Sequence, residues 1–220
     1  MTIDGLTRQI PSSVDLMAVT YQAEEAATWR CWVSDEEMSC LNSFGARKRR
    51  REFLAGRAAA RQLLATCLDT TPDQVPLRRA EDDAVDVAVP DWRVSITHSG
   101  PHAIAAAAPH PVGMDLEHIE PRDAAIARFL FAPKDRGLVD ALPYDSSAAL
   151  ILCWSLKEAV LKARRSGFRT SPKSVHLSVE PVQKLAYADV DGGTHWTVHY
   201  ERLDEYWGAV ATPRSVGDEE

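Results

Sequence analysis

The sequence lacks a leader-like start: its first sixteen residues, MTIDGLTRQIPSSVDL, show no basic segment followed by an apolar one. No apolar run approaches the roughly eighteen residues of a membrane-spanning helix. These two absences make a cytoplasmic protein with no membrane partner the expectation. Cysteine is scarce, and Cys31, Cys40, Cys67 and Cys153 form neither a C-x-x-C pair nor a Cys/His pattern. Neither a zinc site nor a disulfide framework is indicated, which leaves them as reduced packing residues. Positive charge is the minority sign, with 25 Lys and Arg against 32 Asp and Glu and a formal net charge of −7. No aromatic residues are interleaved with the one basic run, so nucleic acid is not the expected partner. No repeat is visible at the level of residues.

What is present suits an ordinary globular protein. With 220 residues, 45% hydrophobic and 26% charged, the chain can form one domain or two small ones around a sizeable core. Val14–Tyr21 has strand character. Ser34-Asp35-Glu36-Glu37 offers an N-cap followed by acidic first-turn residues, so a helix is expected to begin there. Arg47-Lys48-Arg49-Arg50-Arg51 then concentrates positive charge, and Phe53, Leu54, Ala58, Leu63, Leu64 and Cys67 continue as a long helix with Arg57 and Arg61 one turn apart. The basic run reads either as a solvated helix start or as an anion contact. Arg78–Asp91 reads as loop. Arg93–Thr97 and Ala103–Ala108 read as short strands joined by a turn-rich His98-Ser99-Gly100-Pro101-His102, with His98 at a strand end.

Asp123–Leu142 holds one or two short helices broken at Pro133. Val175–Val179, Trp196–Leu203 and Tyr206–Ala211 look like closing strands, and Gly217–Glu220 like a disordered tail.

The chain is organised around Asp145–Gly167. Asp145 or Ser146 can cap its start, Arg164 and Arg165 suit the C-terminal dipole, and Gly167 is a stop signal. Ala149, Cys153, Leu156, Val160 and Ala163 make an apolar stripe, while Trp154, Glu158 and Lys162 recur at four-residue steps on a roughly opposite face. Taken alone, Glu158 and Lys162 are a helix pair worth a few tenths of a kcal/mol. Upstream, Val112-Gly113-Met114-Asp115-Leu116-Glu117 alternates like a strand, which puts Asp115 and Glu117 on one face roughly 6–7 Å apart. Glu158 is then a candidate third oxygen ligand.

Gly113-Met114-Asp115-Leu116-Glu117 followed by Trp154-Ser155-Leu156-Lys157-Glu158-Ala159-Val160-Leu161-Lys162 resembles the paired signature of the 4′-phosphopantetheinyl transferases. Ser95-Ile96-Thr97-His98-Ser99-Gly100 resembles a further motif of that family, and the chain length is similar to its single-chain, surfactin-synthetase-activating type. The resemblance implies an α+β pseudo-dimer of two similar halves, each with a small antiparallel sheet packed on a long helix, divided here at 1–108 and 109–220. The order of elements, strand, long helix and paired strands twice over, is compatible with that. A coenzyme A site between the halves is also implied. The family commonly has a Gly-x-Pro turn before the His-Ser motif, and this sequence departs from it there.

The implied activity is transfer of the phosphopantetheine arm of coenzyme A to a serine of an acyl or peptidyl carrier protein, with 3′,5′-ADP leaving and Mg²⁺ (or Mn²⁺) holding the diphosphate. A monomer is expected. By the same resemblance, Arg51, Arg57 and Arg61 are candidates for the 3′-phosphate, and His98 and Ser99 for a phosphate or adenine-side contact. Asp115, Glu117 and Glu158 are the candidate metal ligands, and Lys162 supplies charge to the phosphates. Glu158 is the first candidate for general base, with Lys157 or a metal-bound water as the others; Lys157 is alternatively an orienting group for a phosphate or the carboxylate beside it. Two readings from other classes stand beside this one: a non-catalytic coenzyme A- or carrier-binding relative, and a small nucleic-acid-binding domain using Arg47–Arg51.

Overall fold

The computed structural model describes residues 1–21, 27–80, 84–123, 125–166, 169–191 and 193–214. Its helices are α1 (Asp4–Thr7), α2 (Ala27–Arg30), α3 (Asp35–Ser43), α4 (Arg47–Cys67), α5 (Ala125–Leu130), α6 (Leu138–Ala141) and α7 (Ser146–Ala163). Its strands are β1 (Asp15–Thr20), β2 (Leu77–Arg79), β3 (Val85–Val87), β4 (Arg93–Ser99), β5 (His102–Ala108), β6 (Gly113–His118), β7 (Val175–Glu180), β8 (Leu185–Val190), β9 (Thr194–Leu203) and β10 (Tyr206–Pro213). The chain forms two compact units, Ser12–Pro109 and a second made of Met1–Pro11 with the residues from His110 onward. The first eleven residues, assigned by sequence to the N-terminal half, thus run with the other unit, where the amide of Gln9 donates to Glu201 at 2.6 Å. Each unit has an antiparallel sheet packed on one long helix, as expected.

In the Ser12–Pro109 unit, β1, β5 and β4 form a three-stranded antiparallel sheet with β5 in the middle. Five of the seven residues of β5 are alanine and all seven are buried, and Ala105 and Ala107 share a core with Ala59 and Ala60 of α4, whose small side chains let helix and sheet approach closely. The β4–β5 turn is only Gly100-Pro101, because Ser99 already pairs with His102. Gly100 takes φ +57°, which suits a glycine at the first central position of a tight hairpin. Ser34 caps α3 with a full capping box: its hydroxyl accepts from the Glu37 N–H at 3.2 Å, and its own N–H donates to the Glu37 carboxylate at 3.0 Å. The expected loop at Arg78–Asp91 is corrected in part. β2 and β3 pair there, with Arg78 and Asp86 facing each other at 2.9 Å. Strands of three residues are too short to show alternation in sequence.

The second unit carries a five-stranded antiparallel sheet in the order β6-β10-β9-β8-β7. β8 is an addition to the three closing strands read from sequence. Asp145 caps α7, accepting from the Ser147 and Ala148 N–H groups at 3.1 and 3.0 Å. The predicted stripe of Ala149, Cys153, Leu156, Val160 and Ala163 is buried and joins Tyr200, Trp196 and Trp207 in the core. The Trp207 indole N–H donates to the Ala148 carbonyl at 2.8 Å and ties β10 to the start of α7. Short helices α5 and α6 flank the 3₁₀ turn Pro133–Asp135, matching the expected break at Pro133. The stop signal at Gly167 and the tail Gly217–Glu220 lie outside the described residues. Among the described residues no helix is long and apolar enough to cross a membrane.

Candidate active site

In the second unit, Asp115 and Glu117 of β6 couple electrostatically to Glu158 and Lys162 of α7. Alternation puts Gly113, Asp115 and Glu117 on one face of β6. Gly113 shows how close the helix lies. A Cβ at that position would stand 1.9 Å from the Ala159 carbonyl oxygen and 2.4 Å from the Ala163 nitrogen, so a side chain there would push strand and helix apart. Further along that face, buried Asp115 accepts at Oδ1 from the Lys162 ammonium at 2.7 Å, and the same ammonium donates to the Met114 carbonyl at 3.1 Å. Arg122 Nη2 lies 3.8 Å from Glu117 Oε2, a neighbour that the sequence reading did not foresee.

Glu117 is pushed up to about 7 by burial and then by the Asp115 carboxylate, with Lys162 and Arg122 opposing. Glu158 is pushed up to about 6 by burial and then Asp115, again opposed by Lys162. Three carboxylates therefore feel one another across a single ammonium, and the excess negative charge favours a proton or a cation. Among the described residues no three His, Cys, Asp or Glu side chains are grouped closely enough to hold a metal ion together.

Lys157 has a different setting from the one expected. Consecutive residues of a helix point about 100° apart, so Lys157 and Glu158 face different surroundings. The Lys157 side chain is fully buried and donates to the carbonyls of Leu130, Pro172 and Val175 at 3.0, 2.9 and 2.5 Å. Its ammonium sits 5.0 Å from the Phe131 ring centre, and burial pulls it down to about 8. Trp154 is half-buried, with its ring 6.3 Å from that of the exposed Phe129.

In the Ser12–Pro109 unit, the expected phosphate-binding residues are spread over α4 and β4. Arg51 is half-buried on α4, and His98 and Ser99 end β4, with His98 Nδ1 4.0 Å from the Glu52 carboxylate. Arg57 and Arg61 converge on Glu37 of α3. Arg57 Nε lies 2.9 Å from Glu37 Oε1, and Arg61 Nη2 donates to Oε2 at 2.5 Å. Burial pulls the Arg57 guanidinium down from its ordinary value, and Glu37 holds it up. Arg57 lines a cavity of about 320 Å³ with Phe53, Arg78 and Arg79, and with the acidic Glu36 and Glu37. The Ser34-x-x-Glu37 spacing was visible in the sequence as a helix start. That Glu37 also binds two arginines of the next helix left no sequence signal.

Two family models match the chain. The 4′-phosphopantetheinyl transferase superfamily model covers residues 111–211, and the 4′-phosphopantetheinyl transferase N-terminal domain model covers residues 41–108. A Synechocystis sp. protein provisionally named as a 4′-phosphopantetheinyl transferase is 27% identical over 198 residues, spanning 83% of this chain and 80% of its own length. A Thraustochytrium sp. phosphopantetheinyl transferase is 26% identical over 207 residues, with 84% and 72% covered. The 4′-phosphopantetheinyl transferase of Bacillus subtilis is 31% identical over 125 residues, 56% of each chain.

Proposed function

The chain belongs to the 4′-phosphopantetheinyl transferase family, and we propose that the β6–α7 carboxylates and Lys162 are the site at which it handles the diphosphate of coenzyme A. The protein is a phosphopantetheinyl transferase: it moves the phosphopantetheine arm of coenzyme A onto a carrier protein. The observation behind the site assignment is the Lys162–Asp115 ion pair at 2.7 Å, with Glu117 and Glu158 both raised by burial and by the Asp115 carboxylate and both opposed by Lys162.

The carboxylate oxygens suit a divalent cation in kind, with one or two of them at a time rather than all three as ligands. Mg²⁺ prefers oxygen ligands and characteristically takes one or two carboxylates, completing its shell with water and substrate phosphates rather than a closed protein cage. Asp115, Glu117 and Glu158 are the residues that would hold it. When bound it neutralises diphosphate charge and orients the phosphates for in-line attack.

The chain's own groups account for the other requirements. Lys162, already placed by Asp115 and the Met114 carbonyl, offers a point charge to the phosphates. Glu158, on the same helix one turn from Lys162, is the proposed base for the attacking carrier serine; burial and Asp115 raise its affinity for a proton in the metal-free site. Arg57 is the proposed contact for the 3′-phosphate, with Arg51, His98 and Ser99 as further coenzyme A contacts. The acceptor is an acyl or peptidyl carrier protein, the product alongside it is 3′,5′-ADP, and the enzyme acts as a monomer.

The test incubates the protein with an apo carrier protein, coenzyme A and Mg²⁺. The carrier is expected to gain the mass of one phosphopantetheine arm, and chelation of the metal is expected to abolish the gain. Binding of coenzyme A and carrier without a mass change would make the protein a non-catalytic relative.

A further inference from the structure

Arg57 and Arg61 stand one turn apart on α4 but have different surroundings. Arg61 is 2% exposed. Its guanidinium is occupied by Glu37 Oε2 and by the carbonyls of Val75 and Pro72, at 2.5 and 3.4 Å, and it does not line the cavity. Arg57 does line it. Its Nε faces Glu37 Oε1 at 2.9 Å, and its guanidinium carbon lies 4.8 Å from the Phe53 ring centre. The approach is an ion pair without hydrogen-bond alignment, and a guanidinium paired on its Nε side still has its terminal nitrogens to offer as a fork to phosphate oxygens.

Glu37 is itself fixed on both sides. Its Oε2 accepts from the Ser34 backbone N–H at 3.0 Å as half of the capping box, and Arg61, braced on the Val75 carbonyl, holds the same oxygen. The carboxylate is therefore not free to follow Arg57 if that side chain swings. Two guanidinium charges against one carboxylate still leave the trio net positive, so the arrangement orients Arg57 without cancelling its attraction for an anion.

We propose that Glu37 is a positioning residue for coenzyme A recognition: braced by Ser34 and Arg61, it sets the guanidinium of Arg57 against the 3′-phosphate. The proposal rests on the assignment of Arg57 to that phosphate. Its consequence is that Glu37, an acidic residue that lines the same cavity as Arg57, governs selectivity for a phosphate through that arginine.

The test measures kcat and KM with coenzyme A and with dephospho-coenzyme A for Glu37→Asp, Arg57→Ala and the double variant, with a melting curve for each. Glu37→Asp keeps the buried negative charge that folding needs but withdraws it by one methylene. Arg57→Ala is expected to raise KM for coenzyme A by about tenfold and leave dephospho-coenzyme A within about twofold. Glu37→Asp is expected to show the same selectivity at about three- to tenfold with kcat unchanged, and the double variant to be no worse than Arg57→Ala alone. A selective Arg57→Ala beside a Glu37→Asp that alters both substrates equally, or neither, overturns the proposal alone, as do multiplying effects in the double variant. An Arg57→Ala loss that is equal on both substrates overturns the Arg57 assignment and the proposal with it.

Discussion

Asp115 and Glu158 share Lys162 as a neighbour, but burial and charge give them different parts. Asp115 is in direct contact with the ammonium, whereas Glu158 is the carboxylate pushed up to about 6. Asp115→Ala is expected to weaken metal binding and lose activity that excess Mg²⁺ or Mn²⁺ partly restores, because the remaining oxygens can be filled by mass action. Glu158→Gln keeps size and one oxygen ligand but removes the base. Its kcat is expected to fall by roughly 10²–10⁴-fold with little recovery at high metal, and coenzyme A should still bind. A metal titration of kcat for both variants, beside a binding assay, checks this. Full recovery of Glu158→Gln at high Mg²⁺ would make Glu158 a ligand and move the search for the base elsewhere.

At the scale of elements, α7 carries chemistry on one side and a structural pin on another. Lys157 reaches carbonyls from the end of α5, the 3₁₀ turn Pro172–Ser174 and the start of β7. It joins three segments distant in sequence to the helix that bears Glu158. Lys157→Met fills much of the volume but leaves three carbonyls without that donor. A stability loss of about 2–4 kcal/mol is expected from such unsatisfied buried groups, with KM for coenzyme A nearly unchanged. Denaturant unfolding beside steady-state kinetics measures both. A stable variant with a large KM increase would instead return Lys157 to the phosphates, as its place in the motif suggested. Close approach on the neighbouring face depends on Gly113, whose missing side chain sets the β6–α7 distance.

For the molecule as a whole, the raised carboxyls link stability to pH and to metal. Glu117 is lifted from an ordinary 4.5 to about 7 and Glu158 to about 6. The folded state therefore holds more protons than the unfolded chain between these limits. The stability these groups give is full below about 4.5 and is lost as pH rises through about 6 and about 7. The metal-free protein is expected to lose melting temperature across that window, and Glu117→Gln to flatten the fall. A cation competes with those protons, so Mg²⁺ should raise the melting temperature more at about pH 7.5 than at about pH 5.5. Equal Mg²⁺ stabilisation at both values would remove Glu117 and Glu158 from the metal site. Melting curves with Mg²⁺ and with chelator supply the comparison.

Local rules in the sequence determined much of this protein. Asp145 and Ser34 announce helix starts, the stripe from Ala149 to Ala163 announces the buried side of α7, and the alternation from Val112 to Glu117 puts Asp115 and Glu117 on one face. These are legible because capping and periodicity are set by residues within a few positions of one another. The motif spacing also pointed to the family, and so to the activity. Only tertiary structure decided where Lys157 ends its side chain, that Arg61 is a brace while Arg57 lines a cavity, and that Glu37 serves both arginines. It also decided that β2 and β3 pair and that residues 1–11 run with the second unit. In each case the partner lies six or more positions away and is selected by the packed fold. A buried charge must find whichever carboxylate or carbonyl the packed fold brings within reach, and no local pattern in the sequence records which one that is.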